Sequence, residues 1–160
     1  MVRNSILRQI INIAQRKNIT LAVAESCTGG LISHLLTNIS GSSKYFKLGI
    51  VAYSNQAKIK ILKVSPAAIK KFGAVSPIIA EQMAKKIKII AKTNIGLSCT
   101  GVAGPTAETT GKPIGTVYIG LALPSGYMVK KFKFSGSRTK IKNMAADKAL
   151  QLITKCLKQI

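Results

Sequence analysis

Ser26 stands in the run Ala24-Glu25-Ser26-Cys27-Thr28-Gly29-Gly30, directly after an apolar stretch from Ile19 to Ala24 that reads as a buried strand. Beyond the glycines, Leu31, Ile32, Leu35 and Leu36 recur at helical spacing, so the run is a strand-to-helix junction. A hydroxyl at such a junction is placed to attack a carbonyl. The amides of Thr28, Gly29 and Gly30 would then be free at a helix start, able to stabilise an oxyanion or hold a phosphate. The plainer reading of the two glycines is a turn needed for close packing.

Two more runs end an apolar stretch in polar groups. Tyr53-Ser54-Asn55-Gln56-Ala57-Lys58 closes the strand Leu48 to Tyr53 and sets a lysine on the next helical turn, so the two polar heads can approach each other. A desolvated lysine has a lowered pKa and accepts a proton from a serine, and a tyrosine can relay it. Taken alone, Lys58 also fits one of many surface lysines. Thr100-Gly101-Val102-Ala103-Gly104-Pro105 ends the strand Ile95 to Thr100 in a hydroxyl and exposed amides that could grip a carbonyl or phosphate, or in a turn needing positive φ at glycine. Arg138, in Gly136-Ser137-Arg138, is the one arginine outside the first helix and sits at a helix start, where a bidentate phosphate contact is natural.

Composition narrows the chemistry. Four carboxylates, Glu25, Glu81, Glu108 and Asp147, and one histidine, His34, are too few for a hard-metal site and offer no glycosidase-type pair. No metal and no organic cofactor is expected, and a serine nucleophile must use Lys or Tyr as its base. Cys27, Cys99 and Cys156 form no CxxC pair, which argues against a disulfide framework or a zinc site; Cys27 and Cys99 read as small core residues. The 25 Lys and Arg against four acids give a formal net charge of +21, which draws nucleotides, phosphorylated metabolites and, non-specifically, nucleic acid. The lysines are dispersed over every segment, as solvated helix faces are. No apolar run approaches the roughly 20 residues that span a bilayer, and no secretory signal opens the chain, so a cytoplasmic protein without membrane contact is expected.

The elements that must position these residues follow from periodicity. A length of 160 residues at 47% hydrophobic content suits a single domain over 1–160. Ile6, Ile10, Ile13 and Ala14 make Ser5 to Arg16 an amphipathic helix, and Ser54 or Asn55 caps a short helix through Leu62. Ser76 and Pro77 start another helix with Ile79, Met83, Ile87 and Ile90 on its buried face. The loop Gly101 to Gly111 has the length of a binding loop. Pro113 to Leu123 and Tyr127 to Phe134 form a hairpin, and a last helix from about Ser137 turns Ile141, Met144, Ala145, Ala149, Leu152 and Cys156 inward. This order predicts a three-layer α/β/α sandwich with a mixed, mostly parallel sheet, and with Ser26, Tyr53 and Thr100 emerging at one edge.

Taken together, these runs carry a resemblance. The Ala24 to Gly30 run, Gly41-Ser42-Ser43 with Tyr45-Phe46, Tyr53-Ser54-Asn55 with Lys58, Gly73-Ala74-Val75-Ser76, Thr100 to Pro105 and Lys112-Pro113-Ile114-Gly115-Thr116-Val117 resemble, in order and spacing over nearly the whole chain, the CinA C-terminal domain family. The resemblance implies a stand-alone nicotinamide-nucleotide amidohydrolase, converting nicotinamide mononucleotide and water to nicotinate mononucleotide and ammonia. It further implies Ser26 as nucleophile, Lys58 assisted by Tyr53 as its activator, and Thr100 and Gly101, with the amides after Ser26, around the oxyanion or substrate. Arg138 becomes the phosphate-binding candidate, and a homo-oligomer, with a dimer favoured, is the family expectation. The chain departs from the family pattern at 106–111, at Ser137 where the family usually has Asp, and at Lys142 in place of an arginine. The alternative reading is a domain of the same family that binds a nucleotide or nucleic acid without turning it over.

Overall fold

The computed structural model describes residues 2–106 and 111–160, so the expected binding loop is described except at 107–110, which include Glu108. In chain order the elements are α1 (Val2–Arg16), β1 (Leu21–Glu25), α2 (Leu31–Thr37), a short 3-10 turn, β2 (Phe46–Val51), α3 (Asn55–Lys60), α4 (Pro66–Phe72), α5 (Pro77–Ala91), β3 (Ile95–Gly101), β4 (Thr116–Leu123), β5 (Gly126–Lys133) and α6 (Arg138–Gln159). The sheet runs β2-β1-β3-β4-β5. β1 pairs in parallel with both β2 and β3, while β4 is antiparallel to its two neighbours, so four of the five strands point one way.

Alternation along the strands sorts the core into two faces. Leu21 and Val23 of β1, Leu97 and Cys99 of β3, and Val117 and Ile119 of β4 pack with α1, α2 and α6. Ala22 and Ala24 face the opposite way, toward α3, α4 and α5. On that second face the central strands carry small residues, and α5 lies close on them. A Cβ at Gly96 would run into the Ala84 carbonyl oxygen of α5, and one at Gly120 would come within 2.6 Å of Ala80 O. Ser98 Oγ donates to that same Ala80 carbonyl at 2.6 Å, fixing the helix against β3.

Capping follows the sequence where its signals are local. Ser54 accepts from Ala57 N–H, Ser76 from Ile79 N–H and Ser137 from Lys140 N–H, and Pro77 occupies the first turn of α5. The helix α4 was not expected, although Ser65-Pro66 repeats the Ser76-Pro77 signal and Ser65 caps it through Ala68 N–H. One inward assignment fails, since Ile90 is exposed; on α6, Met144 and Leu152 are half-buried against the core, and Ala146, Leu150 and Ile153 join the buried face.

The junction after β1 overturns one expectation. Gly29 and Gly30 have φ of 61° and 93°, a left-handed turn that suits glycine. The turn brings α2 back over the fully buried Glu25. That carboxylate accepts from Gly30 N–H and Ile32 N–H at 3.1 Å each, Ser33 N–H at 2.8 Å and Ser33 Oγ at 2.7 Å. The helix start is therefore neutralised from inside the protein: the Gly30 amide is taken by Glu25 and the Gly29 amide by Ser26 O, so neither is open to an outside anion. The glycines serve the turn through their left-handed φ and not through close packing, since Gly29 is exposed and a Cβ at Gly30 would come no nearer than 3.5 Å to Val51.

Gly96→Ala should force α5 away from the sheet and lower stability by about 1–3 kcal/mol, measured from the urea unfolding midpoint at constant m-value. An unchanged midpoint would mean that the close approach of α5 contributes nothing.

Candidate active site

The chain leaves β1 for β2 on one side and returns to β3 on the other, so the carboxyl ends of β1 and β3 flank a topological switch point, where α/β sheets leave a crevice. A cavity of about 480 Å³ lies there. Ser26 and Cys27 form its wall after β1, Thr100 and Gly101 form it at the end of β3, and Tyr53 and Lys58 come from the β2 side. Three of the expected strand ends thus meet at one edge.

Ser26 is 8% exposed and anchored through its N–H, which donates to Cys99 O at 2.9 Å. Lys58 lies on α3, the helix that Ser54 starts immediately after β2, and is only 2% exposed. Its Nζ donates to Ser26 Oγ at 3.0 Å and to the Ala52 carbonyl at 2.9 Å. Burial pushes the Lys58 ammonium down to about 8, opposed by the nearby Cys27. Desolvation dominates because no carboxylate among the described residues pairs with it. Glu25, the acid nearest in sequence to Ser26, is fully engaged by α2. At pH 7 about one molecule in ten carries a neutral amine at this position, able to accept the serine proton.

Tyr53 does not assist Lys58 in this arrangement. Its ring is 59% exposed, and its hydroxyl accepts from Arg138 Nη2 at 2.6 Å. Arg138, at the first position of α6, also donates through Nη1 to Gly104 O. One guanidinium thereby ties the segments that follow β2 and β3 across the cavity mouth, with further N–H donors left over. Thr100 is buried, and its hydroxyl donates to Ala74 O at 2.9 Å, so its proton holds the Gly73–Ser76 segment in place instead of reaching for a substrate. Gly101 does line the cavity.

Thr28, Gly29 and Gly30 line a different hollow of about 400 Å³, together with His34, Lys142 and Asn143. Thr28 Oγ is buried, with no geometrically sound hydrogen-bond partner among the described residues and the Cys99 thiol beside it. The amides of Cys27 and Thr28, which follow Ser26, make no hydrogen bond to a described backbone atom. Sequence reasoning missed three features of the site. Lys70 of α4 lines the cavity, the Ala52 carbonyl holds the lysine, and Glu25 organises the turn. Only the Ser65-Pro66 start of α4 gave a local signal for the first of these.

Comparison with known proteins fits this geometry. The family described as the CinA C-terminal domain matches residues 3–157. A putative competence-damage inducible protein of Caldanaerobacter subterraneus is 43% identical over 148 residues, covering 92% of this chain and 36% of the relative. A CinA-like protein of Kosmotoga olearia is 47% identical with the same two coverages. The chain thus spans little more than a third of the length of these relatives. The crystal structure of competence/damage inducible protein CihA from Agrobacterium tumefaciens superposes with a TM-score of 0.91 at 34% identity, covering 98% of this chain and 95% of that one. A CinA superfamily protein from Enterobacter cloacae gives 0.92 at 28% identity, with 95% and 90% covered. A conserved architecture and 155 matched positions lead to one assignment: this chain belongs to the CinA C-terminal domain family.

Proposed function

We propose that the chain is an amidohydrolase that deamidates nicotinamide mononucleotide to nicotinate mononucleotide and ammonia through an acyl-enzyme on Ser26. The observation that carries this reading is the 3.0 Å contact between a buried lysine amine and a serine hydroxyl at the switch point of the sheet. A serine beside a desolvated amine is an activated nucleophile, and the resemblance supplies the amide.

In the neutral form, Lys58 takes the Ser26 proton as Oγ attacks the carboxamide carbon. The Cys27 N–H, on the residue after the nucleophile, is the donor placed for the resulting oxyanion. When the tetrahedral adduct collapses, the C–N bond breaks, Lys58 returns the proton to the nitrogen, and ammonia leaves. Water, deprotonated by the same amine, then attacks the Ser26 ester and releases the carboxylic acid. Arg138 at the mouth is the partner for the nucleotide phosphate, which would displace the Tyr53 hydroxyl from it. Tyr53 therefore belongs to substrate entry in this scheme, and Lys58 works without it.

Incubation with nicotinamide mononucleotide should release ammonia and the acid in equal amounts. Ser26→Ala and Lys58→Met, the latter keeping the aliphatic stem, should each lose at least ~10³-fold in kcat while remaining folded. Wild-type rates in either variant would remove that residue from the mechanism. Steeply salt-dependent binding of single-stranded DNA without ammonia release would favour the binding-domain alternative instead.

Because the base must be neutral and burial has pushed its pKa down to about 8, kcat/KM should rise about tenfold per pH unit below 8 and level off above it. A profile flat from about pH 6 to 9 would exclude Lys58 as the base. Arg138→Ala should raise KM by roughly 10- to 100-fold, the worth of a charged hydrogen bond, with a smaller change in kcat. An unchanged KM would place the phosphate elsewhere.

A further inference from the structure

Two thiols meet directly behind the nucleophile. Cys27 follows Ser26 in the chain, and Cys99 accepts the Ser26 N–H through its carbonyl. Their Sγ atoms lie 3.7 Å apart, about 1.7 Å farther than a disulfide bond. Access is unequal: Cys27 forms part of the cavity wall, whereas Cys99 is fully buried behind it. The third cysteine, Cys156, sits elsewhere with its thiol 3.6 Å from Met128 Sδ. At 3.7 Å the two sulfurs touch, so nothing stands between them, and neither thiol has a part in the amide chemistry.

We propose that Cys27 and Cys99 are a modification site, closing to a reversible disulfide when a hydroperoxide enters the cavity, and that closure disables Ser26. The Cys27 thiolate attacks one peroxide oxygen; an S–O bond forms, the O–O bond breaks, and the leaving oxygen takes up a proton. Cys99 sulfur then attacks the Cys27 sulfenic acid. The S–S bond forms, the S–O bond breaks, and the hydroxide leaves as water with the Cys99 proton. With hydrogen peroxide the sum is two thiols oxidised to one disulfide and one peroxide reduced to two waters.

The order is set by the surroundings. Contact with Cys27 and burial both push the Cys99 thiol up, which suits the thiol that reacts second, inside the protein. The consequence for Ser26 follows from which side can yield. Cys99 lies in β3, hydrogen-bonded to β1 on one side and β4 on the other, whereas Cys27 belongs to the irregular turn between β1 and α2. Closing the gap must draw Cys27 toward β3 and carry the adjoining Ser26 away from Lys58. A displacement of about 1 Å at a reacting atom costs roughly 10²-fold in rate.

The test uses Cys156→Ala protein, which leaves only this pair. About one equivalent of hydrogen peroxide should remove both titratable thiols, lower the intact mass by about 2 Da, and reverse with dithiothreitol. The Cys156→Ala/Cys99→Ala protein, checked for folding by circular dichroism, should instead yield a Cys27 sulfenic acid that dimedone traps. Thiols that both remain open to alkylation after peroxide would overturn the proposal, and the thiol count decides this even in a protein that releases no ammonia. The effect on activity rests on the amidase reading: ammonia release should fall about 100-fold on oxidation and return on reduction. A fully formed disulfide with an undiminished rate would overturn the coupling to Ser26.

Discussion

A lysine amine held out of water between a strand-end carbonyl and a serine hydroxyl is the constraint on which the site depends. Lys58 is nearly inaccessible, has no carboxylate partner among the described residues, and meets Ala52 O and Ser26 Oγ. Burial without a counter-charge disfavours the ammonium. An acid at this point would hold the proton on the amine and remove its value as a base. The scarcity of acids in the chain therefore bears directly on the chemistry, beyond the +21 charge it leaves on the surface.

Holding that contact requires a rigid turn after β1, and Glu25 supplies the rigidity. Its carboxylate gathers three backbone amides and a hydroxyl from the start of α2, each a charge-assisted hydrogen bond in a buried setting. The one acid beside Ser26 is thus committed to structure and kept from the lysine. With the Gly29 and Gly30 amides taken up internally, the cationic donors that line the cavity are side chains, among them Lys70 and the Arg138 guanidinium that joins Tyr53 to Gly104.

Close packing of α5 on the sheet supports the cavity from behind. Gly96, Ser98 and Gly120 leave no bulk between helix and strands, and Thr100 extends the same contact line by gripping Ala74. That line fixes the end of β3 relative to β1, which brings Cys99 against Cys27 and the Ser26 amide. The Ser26 anchor and the thiol pair are two results of the β1–β3 pairing, whereas Lys58 arrives from the β2 side. The Arg3–Asp147 pair at the outer surface, by comparison, joins α1 to α6 at 2.6 Å far from this line and is half exposed, a setting in which ion pairs contribute little.

Much of this was legible in the residues themselves. Strand-ending hydroxyls at Ser26 and Thr100, the Ser54, Ser76 and Ser137 caps and the mixed sheet follow from local signals, because period, capping and turn chemistry act over a few residues. Lys58 could be named as a candidate but not told apart from two dozen other basic residues, since its chemistry comes from burial that only packing creates. Likewise Glu25 meets donors five to eight residues away, Tyr53 turns to Arg138 across 85 positions, and Cys27 meets Cys99 across 72. The sequence by itself determined which elements form and where each reactive group leaves its strand. Tertiary structure alone decided which groups share a proton, a charge or a bond, because those outcomes depend on distance and desolvation between segments that are remote along the chain.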